Sequence, residues 1–421
     1  MEIDAGNTAW MLISTALVLF MTPGLAFFYG GMVRSKNVLG MLMQNFFAMG
    51  LLAVLWVLVG FSLAFGNFGD GGWIGNFDHF AFDKVGQAAV TLGEGTWMSG
   101  GAGLALTIPF VLFAAFQMTF AIITPALITG STADRLKFKA YAIFIAAWLI
   151  LVYSPVAHWV FGGGFLAKMG ALDFAGGAVV HINAGAAGLA MAILLGKRNG
   201  WPKEPMHPHS LPWTLIGTGI LWFGWAGFNA GSALAADGIA AQALFNTFTA
   251  ASAAMLGWLI VEKLKDGKPT TLGAASGAVA GLVAITPCAG FVGGVAPIAI
   301  GFITGAVCFL AIQLKFKFGY DDSLDVVGVH LVGGLMGSIL LGLFASTEYN
   351  PAGANGLFAE GGGLDLLIDQ IVASVIVLAF SFIMSLVIGK IIDLAFGLRV
   401  DEDEEEQGLD LTQHAEVAYN L

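Results

Sequence analysis

The chain has 421 residues, of which 57% are hydrophobic and 11% charged, and its formal net charge is −11. A soluble globular domain carries roughly a quarter of charged residues, so this class is excluded, and 17 Lys and Arg are too few for a nucleic-acid partner. The 59 glycines follow no G-x-y period, which excludes collagen, whereas glycine in an apolar chain is typical of closely packed membrane helices. The composition predicts a polytopic protein of the lipid bilayer.

Apolar stretches recur along the chain, and a helix needs about 20 such residues to cross a bilayer. The first stretch follows the acids Glu2 and Asp4 without a small-residue cleavage site, so we predict a retained span and no cleaved signal peptide. The predicted spans lie near 8–33, 40–66, 101–130, 140–163, 174–196, 211–235, 241–261, 272–289, 291–314, 325–346 and 364–397. The predicted fold is therefore an all-α polytopic membrane protein with eleven transmembrane helices.

The basic residues indicate how these spans are oriented. Of the 17 Lys and Arg, only Lys84 and Lys168 lie in one set of alternate loops, and the others lie in the opposite set or after the last span. Cytoplasmic loops carry the excess of basic residues. The N-terminus is therefore predicted outside and the C-terminus inside, in the plasma (cytoplasmic) membrane, which is the inner membrane of a cell that has two.

The eleven spans divide as five, five and one. Because five is odd, two five-helix units would insert with opposite topology, as in transporters that place their substrate site near the bilayer midplane. We predict repeat one over about 8–196, repeat two over about 211–346 and the last helix over about 364–397. Together they form a predicted transmembrane transport domain over 1–397.

The segment 398–421 differs from the rest of the chain because it is acidic. Six consecutive acids occupy 401–406, and Asp410 and Glu416 follow. On composition alone, this tail is either a solvated segment or a docking site for a cytoplasmic partner. Both interpretations stay open at this point.

Ionisable residues within spans are costly and indicate function. The candidates in this chain are His158, Asp173, His181, Asp325 and His330. His181 lies in the last span of repeat one and His330 in the last span of repeat two, and each is preceded by an acid, at eight and five residues. The two histidines approach the bilayer centre from opposite faces, as inverted repeats require.

Aromatic residues repeat at helical spacing in two of the spans. Phe116 and Phe120 are four residues apart, and Trp225, Phe228 and Ser232 follow one another by three and four. Such residues share one helix face. In a chain with 34 Phe, this spacing alone indicates ordinary packing.

Longer motifs carry a family resemblance over essentially the whole chain. The stretch 173–183, DFAGGAVVHIN, resembles the signature of the ammonium transporter (Amt/Mep/Rh) superfamily on its Amt branch. Residues 224–232, 325–330 and 133–138 are similar to further segments of that family, and the tail from 397 to 410 resembles the Amt cytoplasmic tail. The chain is therefore identified as a bacterial Amt-type ammonium transporter.

The resemblance implies a homotrimer in which every protomer has its own pore for ammonia, with methylammonium as a substrate analogue. It assigns His181 and His330 as twin pore histidines and Phe120 and Phe228 as the gate. It also implies an outer recruitment site and supporting residues. The recruitment residues are Phe161, Phe120, Ser232 and Asp173, and the supporting residues are Phe116 and Trp225.

Phe161 departs from the family pattern. The family usually has Trp at this position, just before the glycines of the fourth span, as a wall of the recruitment site. Trp is a better cation–π partner than Phe. Trp159 points to a different side of the helix, so the substitution puts the affinity of the outer site in question and leaves the pore unaffected.

The resemblance also implies a transporter that is not an enzyme and has no cofactor or metal, with a PII-type signal protein as partner at the cytoplasmic tail. An Rh-like neutral gas channel and an ammonium sensor remain alternatives. A membrane metalloenzyme is disfavoured, because metals need three or four ligands. His181 and His330 have no third His or Cys in either motif.

Overall fold

The computed structural model describes residues 2–93 and 104–419. Almost all regular structure in these residues is helical. The exception is a short antiparallel pair of strands, β1 (Thr91–Leu92) and β2 (Leu104–Ala105), in which Thr91 lies opposite Ala105. The predicted all-helical membrane class is confirmed.

The first six long helices are separated by short connections. Their bounds are α1 Ala5–Met32, α2 Ser35–Phe65, α3 Phe110–Thr132, α4 Phe138–Met169, α5 Gly177–Leu195 and α6 Leu211–Trp225. Helix α4 is interrupted by a turn over 161–164, and α6 continues through Ala226–Ala230 and Gly231–Ala233.

Five further long helices and two short ones complete the chain. Their bounds are α7 Gly238–Asp266, α8 Thr271–Ile285, α9 Ala296–Phe318, α10 Val327–Phe344, α11 Asp365–Phe396, α12 Glu402–Gln407 and α13 Leu409–His414. In the described part of the chain, nine helices are long and apolar enough to cross a membrane, and α8 is apolar but shorter. Helix α6 has 15 residues before its extension.

Several predicted boundaries were wrong by more than a few residues. The third span was predicted from 101, but 101–103 lie outside the described residues, 104 and 105 form β2, and the helix begins at Phe110 after Pro109. Helix α8 ends at Ile285 and α9 begins at Ala296. Pro287 and three glycines lie between them, and such residues interrupt helices.

Five of the long helices contain a π-helical segment, a feature that widens one turn and is frequent at functional sites. These segments are Trp56–Gly60, Leu149–Tyr153, Gly177–Ile182, Ala226–Ala230 and Val327–Leu331. His181, Phe228 and His330 all lie in them. The candidate pore residues therefore occupy locally widened turns.

Helices α5 and α10 pack directly against each other, and glycines permit this close approach. A Cβ on Gly185 of α5 would meet the backbone nitrogen of Leu331, and a Cβ on Gly334 of α10 would lie 3.0 Å from the carbonyl oxygen of Gly177. The relationship is reciprocal, since each glycine accommodates the π-helical segment of the other helix. It brings the two histidine-bearing turns together.

Candidate functional site

The imidazoles of His181 and His330 form a pair inside the protein. Their Nδ1 atoms are 3.3 Å apart, and the rings are nearly parallel, with 17° between their planes. Both side chains are buried. Since both facing atoms are Nδ1, one must carry the hydrogen and the other its lone pair, which two neutral imidazoles provide. The sequence predicted that these residues approach each other, and the structure brings them into contact.

Aromatic rings extend this pair into a continuous column. The His181 ring stacks on Trp225 and on Phe228, with interplanar angles of 19° and 18°. Phe228 contacts Phe120 at a centroid distance of 4.5 Å, and Phe120 contacts Phe116 at 4.9 Å. Residues from α3 and α6 that sequence spacing alone would assign to packing therefore line up with the histidines.

Trp225 is held in place by a hydrogen bond at its polar atom. Its Nε1–H donates to Thr286 Oγ1 at 2.9 Å, in the segment after α8. A buried indole N–H needs such an acceptor, and the bond fixes the ring that lies against His181. Nothing in the spacing of the sequence predicted Thr286.

The histidine chamber is a cavity of about 10 Å³ beside the two imidazoles, room for about one water-sized molecule. Apart from the histidines, its walls are apolar. The lining consists of Met21, Leu25, Phe28, Ile123, Leu127, Val180, His181, Leu221, Trp225, Phe228, Val279 and His330. In addition, the buried Nε2 of His181 has no hydrogen-bond partner. The chamber therefore offers a small polar guest one free imidazole nitrogen and no charge.

Ser232 lies one turn beyond Phe228. Its hydroxyl donates to the Phe228 carbonyl oxygen at 2.8 Å, and the side chain is 8% exposed. The hydroxyl oxygen keeps its lone pairs free to accept a hydrogen bond from a visiting cation. Ser232 thus contacts the backbone of Phe228, whereas Phe120 contacts its ring.

Asp173 holds the start of α5 and does not face open space. Its Oδ1 accepts from the backbone N–H groups of Gly176 and Gly177, and its Oδ2 accepts from those of Ala178 and Val179, over 2.6–3.2 Å. The carboxylate therefore satisfies the free amides of a helix start, as capping residues do. It lies eight residues before His181 and fixes the turn that carries it.

Asp322 occupies the corresponding place before His330, also at a spacing of eight residues. Its Oδ2 accepts from Val327 N–H at 2.7 Å, and its Oδ1 accepts from the Ser131 hydroxyl. Asp325, the acid that sequence analysis noted five residues before His330, instead forms an ion pair with Lys315 at 2.6 Å. The equal spacing was the signal that could have identified Asp322.

Phe161 lies at the C-terminal end of the first part of α4 and is 4% exposed. Among the described residues, its ring makes no contact with Phe120 or Phe228. Trp159 packs against Phe165 and Phe380, which agrees with the prediction that it points elsewhere. In the described residues, Phe120 and Phe228 are in ring contact and Ser232 bonds to the Phe228 backbone, whereas no ring contact connects Phe161 to them.

A second cavity of about 180 Å³ lies at the start of α10, and we name it the charged cavity. Its charged lining residues are Arg34, Asp134, Arg198, Lys315 and Asp325. Arg34 and Arg198 both contact Asp134, at 3.1 and 3.3 Å, and Arg198 also pairs with the buried Asp321. Burial and the Asp325 carboxylate raise the pKa of the neighbouring Asp322 to about 6.

The acidic tail packs against the helical body. Arg399 pairs with Glu405 at 2.7 Å, and Glu405 accepts from Asn199 N–H after α5. Asp410 accepts from Gly40 N–H near the start of α2. The tail is thus linked to the body at the connection after α5 and at the first turns of α2.

In the described residues, no group of three or more His, Cys, Asp or Glu is placed to hold a metal ion. The two cysteines, Cys288 and Cys308, are both buried and free.

Comparison with known proteins identifies the family of the chain. The sequence model of the Ammonium Transporter Family matches residues 9–419. The chain is 52% identical to an ammonium transporter of Mycobacterium tuberculosis, with 99% of this chain and 91% of that protein covered. It is similar to the crystal structure of Saccharomyces cerevisiae Mep2, with a TM-score of 0.85, 34% identity, and 96% and 89% of the chains covered. A structure described as a sensor Amt protein matches with a TM-score of 0.86, 27% identity, and 97% and 98% coverage.

Proposed function

Since the chain belongs to the ammonium transporter family and is a multi-pass protein of the plasma membrane, we propose that it transports ammonium. In this proposal, ammonium is recruited at the outer end of the aromatic column and loses a proton there. Ammonia then passes His181 and His330 and is reprotonated inside. The observation that carries the proposal is the uncharged histidine chamber at the end of the Phe120–Phe228 ring pair.

The cost of dehydration favours deprotonation before passage. An isolated ion in a medium of low dielectric constant costs tens of kcal/mol. Ammonium titrates roughly two units above neutral pH, so its deprotonation costs only about 3 kcal/mol. Neutral ammonia then needs hydrogen-bond partners, and the unpartnered Nε2 of His181 accepts or donates according to which of the two Nδ1 atoms carries the hydrogen.

The side chains around the column have separate roles in this proposal. Phe120 and Phe228 form the gate that excludes water and larger solutes, with Phe116 and Trp225 as supporting rings. Ser232 and the face of Phe120 recruit the cation, with Phe161 as a more distant wall. The four backbone amides on Asp173 support an indirect role, in which its charge adds negative potential and its bonds hold the His181 turn.

Flux and current measured together would test the transport function. The protein is reconstituted into planar membranes and into vesicles, and ammonium current is recorded beside the uptake of labelled methylammonium. The proposal requires saturable uptake that protein-free membranes lack. A matched current would indicate that the proton travels with ammonia, and its absence a neutral Rh-like conduit. A protein that produces neither flux nor current would contradict transport.

The arrangement of the chain in the membrane is part of the proposal. We assign eleven spans, with α6 and α8 as the two short ones, the N-terminus outside and the C-terminus inside. The transport domain then covers 1–397, with inverted repeats over about 8–196 and 211–346, the last helix over about 364–397, and the tail over 398–421. The matched spacing of Asp173–His181 and Asp322–His330 supports the repeats. Labelling of single cysteines introduced at Lys84 and Lys263 from either side would test the orientation.

Two assemblies follow from family membership. We propose a homotrimer, which native mass measurement in detergent would test. We also propose that the tail, whose acids 401–406 precede Asp410, binds a PII-type signal protein at the cytoplasmic face. Deleting the residues after Arg399 should abolish co-purification with such a protein. Binding that persists after the deletion would indicate that the partner binds the basic cytoplasmic loops instead.

A sensory role is the second candidate, favoured by the structural likeness to the sensor protein. A purely sensory protein would bind ammonium without transporting it. Transport in reconstituted vesicles would therefore decide against a purely sensory protein.

A further inference from the structure

Two adjacent polar residues of α7, Asn246 and Thr247, are completely buried and have no role in the proposed pathway. Helix α7 is one of the helices that are long and apolar enough to cross a membrane. A buried polar side chain in such a helix is costly and indicates function. The hydrogen-bond partners of these two residues indicate what that function is.

Thr247 contacts α6 at the widened turn that carries the gate residue Phe228. Its hydroxyl donates to the Ala243 carbonyl oxygen of its own helix at 2.6 Å and accepts from the Nδ2–H of Asn229 at 2.9 Å. One hydroxyl can donate and accept at the same time, so both bonds form together. Asn229 directly follows Phe228 in the π-helical segment Ala226–Ala230. Thr247 therefore links the turn of the gate ring to α7.

Asn246 contacts a different part of the protein, the α8–α9 loop (286–295). Its Nδ2 donates to the carbonyl oxygens of Ala289 and Val292 at 2.9 and 2.6 Å, and its Oδ1 accepts from Gln242 Nε2 at 2.9 Å. Both amide hydrogens and the amide oxygen thus have partners, which fixes the orientation of the side chain. Asn246 therefore holds the loop through two backbone carbonyl groups.

The α8–α9 loop contacts two parts of the histidine chamber. Thr286 Oγ1 accepts from the indole N–H of Trp225. Pro287 packs against the π-helical segment that carries His181, since a Cβ on Gly177 would lie 2.6 Å from Pro287 Cβ. A displacement of the loop would therefore change both the ring beside His181 and the turn of His181 itself.

The two sets of contacts meet at one group of rings. Trp225 and Phe228 are 5.1 Å apart between ring centroids, and both stack on the His181 ring. Successive side chains of a helix point about 100° apart, so neighbouring residues can reach separate partners from one backbone. Asn246 and Thr247 thus fix the positions of Trp225 and Phe228 relative to each other.

The histidine chamber has space for about one water-sized molecule. Each carbon added to a passing amine therefore requires the surrounding rings to move aside. How strongly the protein discriminates between a small and a larger amine then depends on how firmly Trp225 and Phe228 are held.

We propose that Asn246 and Thr247 are positioning residues of the gate and that they set the size limit for the transported amine. This inference rests on the proposed transport function. Within the described structure, neither residue lines the histidine chamber, so both act through Trp225 and Phe228. When one of these bonds is lost, the gate rings gain freedom and larger amines pass more easily.

The test compares the uptake of labelled methylammonium and labelled ethylammonium by reconstituted protein. The ratio of the two initial rates does not depend on the amount of folded protein, so a merely structural role would not change it. Thr247→Val replaces the hydroxyl with a methyl group and leaves the Asn229 amide without its acceptor. It should lower the ratio of methylammonium to ethylammonium uptake about three- to tenfold, as the loss of a buried hydrogen bond permits.

Three further variants make the test specific. Thr247→Ser keeps the hydroxyl and should restore the wild-type ratio. Asn246→Leu removes both donors to the α8–α9 loop and should lower the ratio as Thr247→Val does. The control is Thr249→Val on the same helix, because Thr249 lines a surface groove with Phe245 and Phe248. This variant should keep the wild-type ratio.

The inference is overturned by a wild-type ratio in Thr247→Val or in Asn246→Leu. It is also overturned if Thr247→Ser has the same low ratio as Thr247→Val, since the hydroxyl would then not be responsible. These results leave ammonium transport intact, because methylammonium uptake is still measured. A wild-type protein without any uptake would instead contradict the proposed function.

Discussion

The histidine chamber and the charged cavity both lie at helix α10, but apolar side chains line the first and charged side chains line the second. The chamber has about 10 Å³ of space and no ionisable side chain besides two imidazoles. The charged cavity has about 180 Å³, and ion pairs such as Lys315–Asp325 line it. Asp325 and His330 are five positions apart in the chain.

The difference shows where this protein tolerates fixed charge. Charges in the larger cavity are paired with each other at 2.6–3.3 Å, so their desolvation is compensated. In the chamber, an added charge would have no partner. If the comparison is correct, substitutions that change charge should reduce methylammonium uptake strongly in the chamber and only slightly in the charged cavity.

The largest expected effect comes from placing a carboxylate in the chamber. His181→Asp or His330→Asp would put an unpaired charge, or a protonated acid of a different shape, into the proposed path of ammonia. We expect methylammonium uptake to fall by at least about 100-fold, because an unpaired buried charge costs several kcal/mol. Uptake by reconstituted protein measures the loss.

A matched change in the charged cavity provides the control. Asp325→Asn removes a charge at a place where charges are solvated or paired, so uptake should change by less than about threefold. Unchanged uptake and selectivity in both histidine variants would remove their assigned role.

The two capping acids offer the next test, on stability. Asp173→Ala leaves four backbone amides without their acceptor and should lower the free energy of unfolding by about 3 kcal/mol. Asp322→Ala removes one amide contact and the Ser131 contact, so its cost should be smaller. Thermal unfolding in detergent measures both.

Asp237→Ala is the reference for a simple helix cap. Asp237 starts α7 and accepts from Ala240 N–H alone, so about 1 kcal/mol is expected. If Asp173→Ala costs no more than Asp237→Ala, Asp173 does not hold the α5 turn as its contacts indicate.

The pH dependence of stability should show the contribution of Asp322 protonation. Its pKa is raised to about 6 in the folded protein, with burial as the main cause and Asp325 second. Because the folded state binds this proton more tightly than the unfolded state, its contribution is fully present below about pH 4 and is lost as pH rises through about 6. In wild-type protein, Tm should fall across this window relative to Asp322→Asn. Parallel Tm curves for the two proteins would contradict this.

The smallest expected effect concerns Phe161. Replacing it with Trp improves cation–π attraction by about 0.5–1 kcal/mol, so KM for methylammonium should decrease about two- to fivefold without a change in Vmax. Phe77→Trp is the control, because Phe77 is an exposed loop aromatic. A KM that stays equal in both variants would show that residue 161 is too far from the recruited cation to matter.

Sequence reasoning identified the helical membrane class and the family but not several contacts. Hydropathy located α11 to within a residue at each end, because an apolar run of this length in a bilayer is a spanning helix. It failed between 286 and 295, where the chain is apolar yet Pro287 and nearby glycines end the helix. Hydropathy indicates which residues are buried, whereas proline and glycine determine where a helix ends.

Which charged residues contact each other also could not be predicted from the sequence. Asp322 and Asp325 are both candidates before His330, and only the folded backbone shows that Asp322 caps α10 while Asp325 meets Lys315. The same holds for His158, whose two acceptors come from separate segments, at Ala64 and Asp70. Such partners are distant in the chain, and no periodic pattern in the sequence indicates their contact.

The amino-acid sequence by itself determined that this chain is a helical membrane protein with two motif histidines, because hydrophobic length and local motifs are properties of contiguous residues. Tertiary structure alone decided that the Nδ1 atoms of His181 and His330 meet, that Trp225 stacks beside them and that the chamber contains no fixed charge. The physical reason is that side-chain contact depends on how glycines let α5 and α10 approach, and a linear pattern does not contain that distance.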